Sequence, residues 1–258
     1  MMGLAVHRCG IGPAGAGLLL TDLVAHWDLS ESSGTRYDSV SSRAATVLNT
    51  DSSAAGVGAG QTAYENLSAS AANGLRVNHD AALVPSSTSI MCINFWIYRN
   101  TGGGPFPVFL MKATNHSTAT TGGEYNCNLL SNSTWAGWAR NSADTDRYGE
   151  HGVDAGPGLG AWTMATLVMD RVNSQIRLYE NGSQIANNSL PDIRTNGTAD
   201  LYLCRTGAGA SVTLFAGRMQ ALSIWKGAGA QNAIDNLSWL YNSGTAARLY
   251  ADLEAYAG

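Results

Sequence analysis

Apolar residues in this chain fall in short runs separated by clusters of Gly, Asn, Ser and Thr. Runs of this kind, rich in β-branched and aromatic residues and bounded by turn formers, predict strands rather than helices. The clearest are Leu23–Leu29, Gly74–Val77, Ser89–Tyr98, Pro107–Lys112, Tyr125–Leu130, Trp162–Asp170, Gln175–Glu180, Leu201–Arg205, Thr213–Ala216 and Met219–Trp225. Gln175–Ala186 reads QIRLYENGSQIA, in which Asn181 and Gly182 supply the two positive-φ positions of a type I′ hairpin turn. The preceding DRVNS turn, Asp170–Ser174, adds a third antiparallel strand. Helical periodicity is concentrated in Gln231–Tyr241, where Ile234, Leu237, Leu240 and Tyr241 form one stripe before the stop signal Asn242-Ser243-Gly244. Long polar stretches, Thr50–Thr62, Asn100–Pro107 and Asn141–Gly160, interrupt the strands; loops of such length in a compact domain are functional or interface-forming. The pattern predicts one all-β domain over residues 18–253, with a flexible arm over 1–17 and a short tail over 254–258.

Composition narrows the partners. Charged residues make up 13% of the 258 residues, about half the usual ~25%. The formal net charge is −4, against the clustered Lys and Arg that phosphate contacts require, so no nucleic-acid partner is expected. No apolar run approaches the ~18 residues of a spanning helix, so no membrane insertion is expected. The opening MMGLAVHRCGIGPAGAGLLL places its first positive charge, Arg8, after an apolar start and continues Gly/Ala/Pro-rich, unlike a cleaved export signal. Cys9, Cys92, Cys127 and Cys204 form no C-x-x-C pair, which argues against zinc and dithiol chemistry. The last three lie in strand-like runs and read as small buried hydrophobes, whereas Cys9 lies in the arm, open to an intermolecular bond. Seven N-x-S/T sequons, at Asn66, Asn115, Asn132, Asn181, Asn187, Asn196 and Asn236, are what an Asn/Ser/Thr-rich chain produces by chance.

Candidate chemistry is sparse. A Ser-His-Asp arrangement could draw on His26, His79, His116 or His151, yet no G-x-S-x-G elbow accompanies any of them. Asp144, Asp146, Glu150 and Asp154 cluster in a Gly-rich loop, where a solvated charge cluster is the plain reading and an ion held with His151 the sharper one.

In their order, several segments resemble the laminin-G-like branch of the concanavalin A-like jelly rolls. LVAHWDLSESSG (Leu23–Gly34) resembles the family's opening strand, and RYDSVSS (Arg36–Ser42) the Asp-containing turn after it. SIMCINFWI (Ser89–Ile97) resembles the strand ending in a core Trp, and AWTMATLVM followed by IRLYENGSQIA the family's W-x-x-V-A and Y-x-N-G hairpin. FAGRMQALSIW (Phe215–Trp225) resembles the closing strand, and LSWLYNSG (Leu237–Gly244) the final L-Y-N-x-G. The resemblance, over about residues 22–244, implies a two-sheet antiparallel jelly-roll sandwich with one short C-terminal helix. It implies core positions for Trp27, Trp96, Trp162 and Trp225, and leaves Trp135 and Trp138 in STWAGWARN unexplained.

Fold does not give function. Glycosidases of this fold use an E-x-D-x-E strand to bring two carboxylates together, and this chain has none, so no enzyme activity and no cofactor are expected. Relatives often carry calcium. Its donors here would be Asp38 and the closing-strand position, which is Gln220 instead of Asp, so a structural ion is left open and the metal ligands unknown. Two functions follow. The resemblance to phage-encoded members implies a structural virion protein, as a capsid decoration, head fibre or tail-associated subunit. Its partners would be other virion proteins, copies of itself and host-surface glycans, and it would reside in the virion. The alternative is an extracellular carbohydrate-binding, lectin-like module, with Trp135, Trp138 and Tyr148 as the stacking platform.

Overall fold

The computed structural model describes residues 19–49, 52–67, 73–100, 107–113, 123–130, 134–143, 147–148, 153–205 and 215–257. In chain order the strands are β1 (Leu23–Trp27), β2 (Arg36–Tyr37), β3 (Ala44–Val47), β4 (Ser53–Ala55), β5 (Thr62–Asn66) and β6 (Leu75–Val77). There follow β7 (Ile90–Arg99), β8 (Val108–Ala113), β9 (Gly123–Leu129), β10 (Thr134–Arg140), β11 (Arg147–Tyr148) and β12 (Val153–Ala155). The last are β13 (Trp162–Asp170), β14 (Gln175–Glu180), β15 (Ser183–Ser189), β16 (Leu201–Leu203) and β17 (Gly217–Lys226). Three helices close the chain: α1 (Gly227–Asp235), α2 (Leu237–Tyr241) and α3 (Tyr250–Ala257).

Among the described residues the strands form two antiparallel sheets packed face to face. The first runs β15-β14-β13-β7-β17-β5-β4, with β1 also on β17; the second runs β11-β10-β9-β8-β16-β6-β3-β2, with β12 also on β10. Strand β17 serves two neighbours on one edge, since Gly217–Met219 pair with β5 and Leu222–Trp225 with β1. The change comes where Ala221 takes a left-handed φ of 51° and the register against β7 shifts.

Alternation along each strand divides the side chains between two faces. On β7, Met91, Ile93, Phe95 and Ile97 enter the core between the sheets, where they meet Phe109, Tyr125, Trp135, Leu167 and Met219. The other face of β7 carries Cys92 and Trp96 into a second apolar cluster beneath α1, α2 and α3. There Trp96 stacks on Tyr241 at 5.7 Å, and the Trp225 indole N–H donates to the Leu19 carbonyl at 2.7 Å. A strand covered on both faces reads as a continuous apolar run, which is why SIMCINFWI shows no alternation in the sequence.

The two-sheet sandwich agrees with the sequence expectation, and so do most strand positions. Asn181 and Gly182 take φ of 51° and 82°, the pair of values a type I′ turn requires. The helical end differs in detail. The helix expected over Gln231–Tyr241 starts earlier, at Gly227, and breaks at Asn236 (φ −110°, ψ 19°). The Asn236 side-chain amide donates to the Asn232 carbonyl at 2.8 Å, a local bond that competes with the helical ladder. A further helix, α3, runs through Ala257, past the boundary expected at Leu253. Cys92, Cys127 and Cys204 are buried free thiols, and burial pushes the Cys92 thiol up to about 12. Cys9 and the expected arm over 1–17 lie outside the described residues.

Candidate functional site

The tryptophans exchange the roles that the sequence suggested. Trp135 and Trp138 lie on β10, and they are 1% and 3% exposed. Trp135 faces the core, edge-on to Phe109 at 5.4 Å, with its indole N–H donated to the Glu180 carboxylate. Trp138 lies on the opposite face of the strand, beside the Arg140 guanidinium at 5.9 Å. Neither ring has a face open to a ligand, so the expected stacking platform does not exist at these two positions. Tyr148 forms part of β11, but its side chain lies outside the described residues, as do Asp144, Asp146, Glu150, His116 and His151.

Trp162, expected in the core, is instead partly exposed. It is the first residue of β13, directly opposite Tyr98 on β7, and the two rings lie 5.5 Å apart, tilted by 57°. Tyr98 in turn is opposite Arg218 on β17, and Arg218 is opposite Glu65 on β5. Trp162, Tyr98, Arg218 and Glu65 therefore make one row across four neighbouring strands, all partly exposed. Trp96 and Met164, two residues further along the same strands, belong to the cluster beneath the helices, so the row is on that outer face. Its Trp162 end still packs against that cluster. The Arg218 guanidinium stands 4.8 Å over the Tyr98 ring, and its Nε donates to Glu65 Oε1 at 3.1 Å.

Beside Tyr98 opens a cleft of about 420 Å³, lined by Leu67, Tyr98, Arg99, Asn100, Gly160 and Ala216. Leu67 in its wall and Leu159, next in sequence to Gly160, are 61% and 55% exposed, two of the few large apolar side chains that the described surface presents. Gly160 turns the chain beneath Tyr98 with a φ of +74°, and its N–H donates to the Arg99 carbonyl at 2.9 Å. The Arg99 guanidinium donates to the Pro157 carbonyl at 2.8 Å, and half-burial lowers it from its ordinary value. A second hollow, of about 330 Å³, is bordered by His79, Asn196, Thr198 and Lys226, with no Tyr or Trp among its described lining residues.

The expected calcium donors do not fit an ion. Asp38 Oδ1 accepts from the backbone N–H groups of His26 (2.8 Å) and Val40 (2.9 Å). Asp38 Oδ2 accepts from the Ser41 N–H (3.1 Å), the Ser41 hydroxyl (2.5 Å) and Arg43 Nη1 (2.8 Å). Gln220 Oε1 accepts from the Val57 N–H at 2.8 Å, and its amide nitrogen donates to Gln61 Oε1 at 3.3 Å. A carboxylate surrounded by protein donors, one of them cationic, has no lone pairs left for a metal.

His26 does meet a serine and an aspartate. Its Nδ1 lies 2.7 Å from Ser223 Oγ and its Nε2 2.8 Å from Asp28 Oδ1. Yet His26 and Ser223 are buried beneath α3, where Asp28 also accepts from the Tyr250 N–H at 2.8 Å. Burial raises the Asp28 carboxyl, and the His26 contacts with the Tyr250 N–H outweigh it, leaving the group below its ordinary value. The trio fastens the last helix to β1, and its hydroxyl faces no substrate. The buried carboxylates described are paired as well: Asp38 with Arg43, Glu124 with Lys112 and Asp170 with Arg177.

Two antiparallel sheets in this order, helices on one outer face and an aromatic row beyond them define a concanavalin A-like sandwich. The family model described as the concanavalin A-like lectin/glucanases superfamily, of laminin G type, matches residues 69–235, and the chain belongs to that superfamily. No curated protein sequence matches the chain. Among solved structures, it is similar to the binding domain of botulinum neurotoxin serotype G, at 14% identity and a TM-score of 0.62, over 86% of this chain and 51% of that one. It is also similar to domain 4 of an extracellular arabinanase from Geobacillus stearothermophilus, solved in complex with arabinotriose, at 18% identity and a TM-score of 0.51, over 82% and 98% of the two chains. A third is a sialidase from Trypanosoma rangeli, at 12% identity and a TM-score of 0.57, over 86% and 33%. The chain spans about half the length of the toxin binding domain it matches, and likeness at these identities is one of fold.

Proposed function

We propose that this domain is a non-catalytic, carbohydrate-binding module of lectin type, and that it holds its ligand against Trp162 and Tyr98. One observation carries the reading. Two partly exposed aromatic rings share a rigid row with Arg218 and Glu65, beside a cleft with apolar margins and the polar groups of Arg99 and Asn100. Sugar rings have apolar C–H faces and polar rims. Aromatic faces flanked by a few fixed polar groups suit both. A partly exposed Trp on a strand is also better positioned than one on a loop, since its pairing with β7 fixes its backbone. The arabinanase domain solved with arabinotriose and the toxin binding domains support a binding role by analogy of fold.

The test is a glycan array followed by calorimetry on the hits, with the native chain, Trp162→Ala and Tyr98→Ala. Binding lost in both variants, with the circular dichroism spectrum unchanged, is the expected result. A blank array, or binding untouched by both substitutions, overturns the reading. Attachment to a virion and self-association, both implied by the phage resemblance, are separate proposals about the setting of the domain. Co-sedimentation with particles and the mass in solution test them.

A further inference from the structure

We propose that the cleft beside Tyr98 selects saccharides that carry a carboxylate, hexuronate units above all, and that Arg99 is the residue that recognises it. The inference rests on the carbohydrate-binding reading of the same site and adds the class of sugar. Its basis is a difference between two neighbouring arginines. Arg218 has its counter-ion in place, 3.1 Å away in Glu65. Arg99 lines the cleft, and among the described residues no carboxylate pairs with it; its one hydrogen bond goes to the neutral Pro157 carbonyl.

Among the described residues of the row and the cleft, the charged side chains are Arg99 and Arg218 against Glu65 alone. This is a surplus of positive charge on a chain whose net charge is −4. A half-buried guanidinium without a counter-ion forgoes the interaction it makes best, and burial already disfavours its charged form. A guanidinium binds a carboxylate through two parallel N–H donors, with geometric selectivity that a neutral hydroxyl cannot match. The Arg99 Nη1–Pro157 bond already restrains the side chain, so less rotamer freedom is lost on binding. Arg99 leaves β7 on the face opposite Tyr98, so Tyr98 and Trp162 would take the apolar face of an adjoining sugar and not of the one that Arg99 holds.

The test compares tetragalacturonate with its fully methyl-esterified form, which has the same sugar, linkage and length without the charge. Calorimetry on the native chain should favour the acid by about tenfold, as expected for a charge-assisted over a neutral hydrogen bond. Raising the salt should narrow the gap. Arg99→Gln should erase the preference and leave the ester's affinity within about twofold. Arg99→Lys, which keeps the charge without the fork, should restore only part of it. Trp162→Ala should weaken acid and ester by the same factor. Equal binding of acid and ester by the native chain overturns the inference and leaves the carbohydrate reading standing. The same holds if Arg99→Gln weakens both alike, which would make Arg99 a support for the Pro157 segment. Failure of both probes and of every neutral glycan on the array overturns both.

Discussion

If Trp135 belongs to the core and Trp162 to the site, truncating each must cost the protein something different. Trp135 is fully buried, and removing such a side chain to alanine costs about 3–5 kcal/mol in transfer and cavity terms. Its edge contact with Phe109 adds about 1 kcal/mol, and the Glu180 carboxylate loses its indole donor. The sum is roughly 4–6 kcal/mol, which lowers the Tm of a chain of this size by roughly 10–20 °C. Trp162 starts its strand with one side open, so Trp162→Ala costs about 1–2 kcal/mol and roughly 3–6 °C. Affinity should move the other way. Trp162→Ala loses at least about tenfold in saccharide binding, close to 1.4 kcal/mol. Trp135→Phe, which fills most of the volume, stays folded and binds as the native chain does. Scanning calorimetry and titration on these three variants are the assay. If Trp162→Ala unfolds the protein as readily as Trp135→Ala, the assignment fails. It also fails if a folded Trp135→Phe loses binding while Trp162→Ala retains it.

Burial pushes the Glu124 carboxyl up to about 7, and Lys112, 3.1 Å away, offsets only part of the effect. A raised folded-state value means that the stability this group contributes is present below about pH 4.5 and lost as pH rises through 7, so Glu124→Gln should flatten that decline in a pH series of urea melts. Because Asp38 is saturated by protein donors, the Tm difference between the native chain and Asp38→Asn should be the same in EDTA and in millimolar calcium; a difference that grows with calcium places an ion there. In a Cys9→Ser background, no thiol should react with a disulfide reagent until the chain unfolds, since Cys92, Cys127 and Cys204 are buried with raised thiol values.

Much of the sandwich is legible in the sequence because long central strands leave long apolar runs, and the Asn181-Gly182 turn fixes one hairpin and its register. The short strands β2 to β5 are not legible, since two to five residues carry too little pattern to distinguish from a loop. Strand β10 hides for another reason. TWAGWAR is buried on both faces, so its alternation of Trp135, Gly137 and Ala139 against Ala136, Trp138 and Arg140 produces no change of polarity. The site was obscured by the same effect at larger scale. Whether a Trp on a strand is core or surface depends on which strand end the helices cover, and that is a tertiary fact. Two local signals pointed to it: Leu159-Gly160 just ahead of Trp162, and the position of Tyr98 near the end of its strand.

A domain that holds a ligand is also pulled by it. The row from Glu65 to Trp162 crosses its strands at one end, so a load directed along the strand axes from there acts on their ladders in shear. Along that direction β7 is held to β13 by nine consecutive residue pairs and to β17 by two runs of four on either side of the shift at Ala221, and shear loads the pairs of a run together. A tug at the edge would open such a ladder one rung at a time. If the proposed row holds an anchored sugar, a pull along the strands would load these ladders in shear instead of peeling them.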